Sequence, residues 1–381
     1  MNAFTEVKLT DNDINSPVRD LLRGMLEKGL VDAVMAPALT QGQNMPRQTL
    51  IVDPALVDRV DALAPVVPWN AAQFVSKLTV QPSGRRLAVV LRSCETRAFT
   101  ELVKLNQGAA DALTVIGLDC LGRLENTDYL AFKEQVDAPA ATFVKNMLEG
   151  KAPAQGVAIP PACQACDYPE VPRCDVRVCL AGSDPSQSLF LEAVSERGEQ
   201  IFRELGWPAG DAPAGRADAL GKIIAQRNAA RDAMYEDFDA RTQDMAALSD
   251  LFSNCVNCYN CRNACPVCYC RVCVFQTDTF RHDSEQYFNW ADKRGGLKLP
   301  TDTLFYQLTR MIHMSTSCVG CGQCSSACPS DIPLAQIFRS VARKSQAVFE
   351  YEPGRDPDEA LPLSVFGEGE FLNVTNECQS D

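Results

Sequence analysis

Cys255-Val256-Asn257-Cys258-Tyr259-Asn260-Cys261-Arg262-Asn263-Ala264-Cys265-Pro266 is a C-x2-C-x2-C-x3-C-P run, and the spacing recurs at Cys318, Cys321, Cys324 and Cys328, followed by Pro329. A [4Fe–4S] cube needs four thiolates, and two-residue spacings let one tight loop present three of them. The fourth cysteine of each run, just before a proline, normally crosses to the cluster of the other run. The pattern predicts one cluster on Cys255, Cys258, Cys261 and Cys328, and a second on Cys318, Cys321, Cys324 and Cys265. Such a module carries electrons.

Other uses of cysteine fit less well. A structural zinc site wants two C-x2-C pairs or Cys/His mixtures, usually at longer spacing. Disulfides are the weaker reading again. Met1 to Thr10 carries an acid and lacks an apolar h-region, so no export signal is expected. With 18 cysteines and no export, the expectation is a reducing cytoplasm and metal ligation. The net charge of -13 argues against nucleic-acid binding, which rests on neutralising phosphates. No apolar stretch is long enough to cross a bilayer, and a protein partner stays open.

Working outward from the runs, 381 residues suggest two or three domains. Residues 20–30 place Leu21, Leu22, Met25, Leu26 and Leu30 at helical spacing. Strands are expected at Val31–Met35, Leu87–Leu91 and Leu113–Leu118, with a helix over Thr96–Leu105. This alternation predicts βαβ units. Cys94 and Cys120 fall just past two strand ends, where such sheets gather ligands. Residues 151–185 are rich in proline and hold Cys163, Cys166, Cys174 and Cys179, and so read as an irregular, metal-braced loop. Helical periodicity resumes over Ser186–Gly206, a break follows over Pro208–Gly215, and a long charged helix runs from Ala217 to Leu251. Helices are also expected at Leu304–Met314 and from Pro333 to about Val348.

The expected architecture has four parts. Residues 1–150 form an α/β domain with a mainly parallel sheet, completed by a Cys/Pro-rich loop and helix over 151–210. Residues 216–350 form the long helix and an α-helical, ferredoxin-like bis-[4Fe–4S] domain. Residues 351–381 are an acidic tail, read as surface wrapping or a docking arm.

Further cysteines invite further clusters. Cys163-x2-Cys166 is a metal-binding pair that needs two more thiolates. Cys94 and Cys120 can supply them, giving a third [4Fe–4S] set of Cys94, Cys120, Cys163 and Cys166. The competing set is Cys163, Cys166, Cys174 and Cys179, and spacing does not choose between them. Cys268, Cys270 and Cys273 form C-x-C-x2-C behind the first run. With Cys179 they are candidates for a fourth cluster, or they line the cluster pocket. Cys378 reads as free. His282 and His313, the only histidines, read as structural.

Several longer stretches carry a resemblance. They are Arg92-Ser93-Cys94-Glu95-Thr96-Arg97 continuing through Glu101-Leu102-Val103-Lys104-Leu105-Asn106-Gln107, and Ile116-Gly117-Leu118-Asp119-Cys120-Leu121-Gly122. Cys163-Gln164-Ala165-Cys166 through Cys179, the extended run 254–270, and 317–334 belong with them. The chain resembles the coenzyme F420 hydrogenase/dehydrogenase β-subunit family, and within it the β subunits of methanogen-type formate dehydrogenase. The resemblance implies an oxidoreductase subunit in which bound FAD exchanges electrons with the deazaflavin F420. Clusters then connect that flavin to a catalytic formate dehydrogenase or hydrogenase, or to heterodisulfide-reductase-like partners. It favours the third set at Cys94, Cys120, Cys163 and Cys166. For the flavin it points to Arg92, Lys104 and Asn106, whose other reading is surface or helix-capping groups. The chain departs from the family at Asn15-Ser16-Pro17-Val18-Arg19-Asp20, where the family has glycines, and at Ser93, where it has proline. The other functional reading is a flavin-less, non-catalytic iron–sulfur wiring module joining two enzyme subunits.

Overall fold

A computed structural model describes residues 3–365. Cys378 and the end of the acidic tail lie outside them. Seven strands form one sheet: β1 Ala3–Lys8, β2 Ala33–Ala38, β3 Arg47–Ile51, β4 Leu87–Arg92, β5 Leu113–Leu118, β6 Val176–Cys179 and β7 Ser188–Ala193. Their spatial order is β1-β7-β6-β5-β4-β2-β3. The pairs β2/β4, β4/β5 and β5/β6 are parallel, and β1/β7, β6/β7 and β2/β3 are antiparallel. The sheet is therefore mixed, which corrects the mainly parallel expectation. Its centre is the parallel βαβ part that apolar runs announce, and every residue of β2 and β4 is buried. Short loops return β3 antiparallel beside β2 and β7 antiparallel beside β6, and the N-terminal β1 adds antiparallel to β7.

Helix α1 (Ser16–Glu27) buries Leu21, Leu22 and Met25, and the left-handed Gly29 at φ +63° follows its end. Helices α2 (Ala72–Thr79) and α3 (Ser93–Lys104) lie on the opposite face, and α4 (Asn126–Gln135) and α5 (Pro139–Leu148) follow β5. The proline-rich stretch forms the single turn α6 (Pro161–Gln164) and then β6, rather than remaining irregular throughout. Residues 186–206 divide into β7 and α7 (Glu196–Leu205). Leu189, Phe190, Leu191 and Ala193 fit a helical stripe as well as a strand, and pairing with β1 and β6 decides the outcome.

From residue 216 to 365 the described chain is helical and contains no strand. Helix α8 (Arg216–Arg241) stops short of the expected Leu251, because Asp244 caps a new helix, α9 (Met245–Leu251), by accepting from Ala247 N. The rest is α10 (Asn260–Ala264), α11 (Ser284–Arg294), α12 (Thr303–Met314), α13 (Gln323–Ser326) and α14 (Leu334–Val348). One core joins α1, α4, α5 and α7 side chains to one sheet face. A second core joins Val89, Leu91, Phe99 and Leu102 to Phe238, Tyr306 and Phe338. The cysteine-rich helical region is thus packed onto the sheet as part of its core.

The start of the acidic tail wraps helix α3. The Tyr351 hydroxyl lies 2.7 Å from both oxygens of buried Glu101, and Gly354 N donates to Glu101 at 2.8 Å. Arg97 donates to Pro353 O at 3.0 Å.

Candidate metal centres

Cys255, Cys258, Cys261 and Cys328 line one small cavity with Tyr259, Tyr306 and Gln307. Two left-handed residues, Asn257 (φ +51°) and Tyr259 (φ +60°), fold the loop so its thiols converge. Asn257 is pinned to Asp302 at 2.9 Å. From α12, Gln307 Nε2 lies 3.5 Å from Cys255 Sγ, and the Tyr306 hydroxyl 3.5 Å from Cys261 Sγ. Cys258 is exposed.

Cys265 turns away from its own run and is flanked by Cys321 and Cys324, while Cys324 is flanked by Cys321, Cys318 and Cys261. Gly320 and Gly322 supply the positive φ angles (+71° and +79°) that this second loop needs. Cys328 thus lies with the first loop, and Cys265 lies near Cys321 and Cys324 of the second.

The sheet brings together a third set. Cys94 opens α3 past the end of β4, and Cys120 follows β5. Cys94 is flanked by Cys120 and Cys166, and Cys163 by Cys120 and Cys166. The competing Cys174 and Cys179 stand elsewhere, beside Arg177 and Glu192. Burial pushes the free thiols of Cys94, Cys120, Cys261, Cys265, Cys318 and Cys324 upward, and those of Cys163 to about 11 and Cys321 to about 12. Deprotonated, these thiols need the positive charge of a metal centre to offset desolvation.

The sets lie within electrostatic reach of one another. Cys94 and Cys163 both neighbour Cys321 of the second set, and Cys324 of the second set neighbours Cys261 of the first. Gly322 packs so closely on Ala162 that a Cβ there would lie 2.6 Å from the Ala162 Cβ.

The candidate fourth set does not assemble around Cys179. That residue ends β6, with Sγ 3.8 Å from Arg177 O and 4.0 Å from Glu192 Oε2. Cys268 and Cys270 neighbour each other, and Cys273 lies by Tyr259 and Tyr306. Cys273 thus lies beside the first set, and Cys268 near Cys265 of the second. They are separated from Cys179 because strand pairing buries Cys179 within the sheet.

The candidate flavin residues do not converge either. Arg92 sits at the carboxyl end of β4, its guanidinium donating to Ala64 O at 2.8 Å. Lys104 and Asn106 are at the far end of α3, about 18 Å away at the standard helical rise. Lys104 is enclosed by Tyr351 at 2.8 Å and Glu101 at 3.3 Å. Asn106 is a left-handed cap (φ +56°) whose N–H closes the helix on Val103 O. At Asn15–Asp20 the Asn15 side chain orders the loop after β3, donating to Asp61 and accepting from Leu63 N. The nearest open cavity, lined by Gln48, Trp69, Phe74 and Arg92, measures 240 Å³.

Every cysteine among the described residues is unpaired. No three His, Cys, Asp or Glu side chains among them close around a single-ion position. The donor sets are all-thiol, which suits cubes of iron and sulfide. No described helix is long and apolar enough to cross a membrane.

These features define an iron–sulfur protein whose cysteine-rich module is built onto a mixed α/β sheet. Comparison with known proteins agrees. The family model for a 4Fe-4S dicluster domain matches residues 251–332. The F420-dependent formate dehydrogenase subunit beta of Methanocaldococcus jannaschii is 27% identical over 388 residues, covering 93% of this chain and 97% of that protein. The F420-dependent formate dehydrogenase 1 subunit beta of Methanococcus maripaludis is 27% identical over 391 residues, covering 93% and 94%. A solved F420-reducing [NiFe] hydrogenase complex from Methanosarcina barkeri aligns at a TM-score of 0.45 and 13% identity, over 64% of this chain and 94% of that one. Over most of its length the chain is similar to F420-dependent formate dehydrogenase β subunits, and it carries a C-terminal 4Fe-4S dicluster domain.

Spacing missed the α12 side chains that contact the thiols: Tyr306, Gln307 and Arg310. The signal was present, since these polar residues share the buried stripe of a helix with Met311 and Met314.

Proposed function

We propose that this chain is the iron–sulfur electron-transfer β subunit of a cytoplasmic redox complex. It passes electrons between a flavin or hydride-carrier site and a catalytic partner. Formate dehydrogenase is the favoured partner and F420 the favoured carrier, following the relatives' names; a hydrogenase or a heterodisulfide-reductase-like subunit is the next class. The flavin-less wiring module is not favoured, because the relatives align across the α/β part as well as the dicluster part.

Three sets would each hold a cube: Cys255/Cys258/Cys261/Cys328, Cys318/Cys321/Cys324/Cys265 and Cys94/Cys120/Cys163/Cys166. Bound there, the cubes supply one-electron capacity. The chain's residues hold and insulate. Buried thiols anchor each set, Gly320 and Gly322 shape the middle loop, and α12 donors face the first set. The observation that carries the reading is the proximity of the three sets, with Cys321 and Cys324 within electrostatic reach of the other two and Gly322 packed on Ala162. Anaerobic copurification with mass-spectrometric identification of partners tests the proposal, alongside iron, sulfide and flavin assays. About twelve iron atoms per chain and an oxidoreductase partner are expected. Stoichiometric zinc with negligible iron would overturn it.

A further inference from the structure

Arg310 is a buried cation without a carboxylate. It is 7% exposed on α12. Its Nη1 donates to Cys261 Sγ at 3.1 Å and to Gln307 Oε1 at 3.2 Å, and its Nη2 to Cys261 O at 3.3 Å. The guanidinium lies 4.5 Å from the Phe338 ring centre and 5.7 Å from that of Tyr306. Among the described residues no Asp or Glu forms an ion pair with it. Its titratable neighbours are Cys261 of the first set with Cys265 and Cys324 of the second, and the Tyr306 hydroxyl.

A guanidinium stripped of water is costly unless an anion faces it. The only groups here able to carry that charge are the thiolates and whatever they hold. We propose that Arg310 is a positioning residue set between the first and second clusters, and that its positive charge raises the reduction potential of both. The proposal rests on the two-cluster reading of the runs. Reduction adds one negative charge to a cube, and a fixed cation at hydrogen-bonding distance from its ligand favours that reduced form. The Nη1–Sγ bond acts in the same direction, because hydrogen bonds to ligand sulfurs help set cluster potentials. Phe338 and Tyr306 keep the site dry, which reduces screening. Because Cys261 and Cys324 are neighbours, one side chain levels the junction between the two sets.

The test uses the full chain, purified anaerobically, with iron counted before any potential is measured. Wild-type protein lacking iron would sink the two-cluster reading itself. With iron in place, EPR-monitored redox titration reads both clusters in wild type, R310Q, R310K and Q307E. R310Q removes the charge and is expected to lower the reduced-to-oxidised ratio about tenfold at fixed ambient potential, near 59 mV for one electron. Q307E leaves Arg310 in place but sets a carboxylate against Nη1. It is expected to shift both clusters the same way, and it serves as the readout where R310Q fails to retain iron. R310K keeps the charge and should stay closer to wild type than either. R310Q or Q307E with full iron and unchanged potentials would overturn the inference, as would an R310K shift as large as that of R310Q.

Discussion

The four thiols at Cys94, Cys120, Cys163 and Cys166 reach their positions by a different route from the two runs at 255–265 and 318–328. The third set is assembled by tertiary structure. Parallel pairing of β4 with β5 puts Cys94 and Cys120 at neighbouring strand ends, and a proline-rich loop returns across them with Cys163 and Cys166. The two C-terminal runs are assembled by tight local turns, with left-handed residues at Asn257, Tyr259, Gly320 and Gly322. The predicted pairing has them exchange one cysteine each. A site made by strand pairing is therefore as stable as the sheet, whereas a site made by loops depends on what it binds. The helical region lacks strands to bind its loops together, and its thiols lie inside the second core.

This contrast makes its largest prediction for metal removal. The double variant C258A/C321A takes one ligand from each C-terminal set and is expected to lose about eight iron atoms per chain. With them should go the near-UV signal of Tyr306 and Tyr259, which pack edge to face at 4.9 Å beside the first set. Far-UV signal from the sheet should persist. Iron analysis and circular dichroism check this, and loss of the sheet signal with the iron would show that the two regions do not differ as argued.

The second prediction isolates the sheet-built set. C120A is expected to lose about four iron atoms and to leave the EPR signals of the dicluster domain in place, because no dicluster ligand lies between β4 and β5. C174A is the matched control. Its thiol lies 3.0 Å from the position of a Gly117 Cβ and among Arg177, Glu192 and Asp175, so iron should be unchanged. Four irons lost from C174A and none from C120A would restore the sequence-compact alternative.

The same contrast explains what could be read in advance. The Cys-Pro runs are local, so spacing alone predicted their crossed pairing. Strands β2, β4 and β5 are short apolar runs buried on both faces and were legible for that reason. β1, β3, β6 and β7 were not. Arg47–Ile51 is largely polar, β6 is four residues long inside a proline-rich stretch, and β7 mimics a helical stripe. Each becomes a strand through its neighbour, an effect absent from local preference. The set at Cys94 and Cys120 stood level with a rival until resemblance favoured it, since strand order cannot be counted from spacing. The placement of Lys104 and Asn106 is likewise tertiary. They share a motif with Arg92 but occupy the opposite end of α3, where one closes on Glu101 and the other caps the helix. Arg310 went unnoticed because an arginine on an amphipathic helix ordinarily faces water.

The smallest expected effect bears on the seam between the two kinds of site. Gly322 has φ +79°, and a Cβ on it would lie 2.6 Å from that of Ala162, one residue before Cys163. Gly42 has nearly the same backbone, φ +78°, with nothing within 4 Å of its added Cβ. G42A therefore isolates backbone strain, expected to cost about 1 kcal/mol. G322A adds a collision between two loops that each carry cluster thiols, and is expected to cost roughly 1–3 kcal/mol beyond it. Thermal denaturation of the iron-loaded variants measures the difference. Iron release to a chelator should quicken for the second and third sets together in G322A and remain at the wild-type rate in G42A. Matching behaviour of the two variants would mean that the loop-built and sheet-built sites merely lie side by side. A difference would mean that they share one packed wall, so that loosening either loop exposes both sets of thiols.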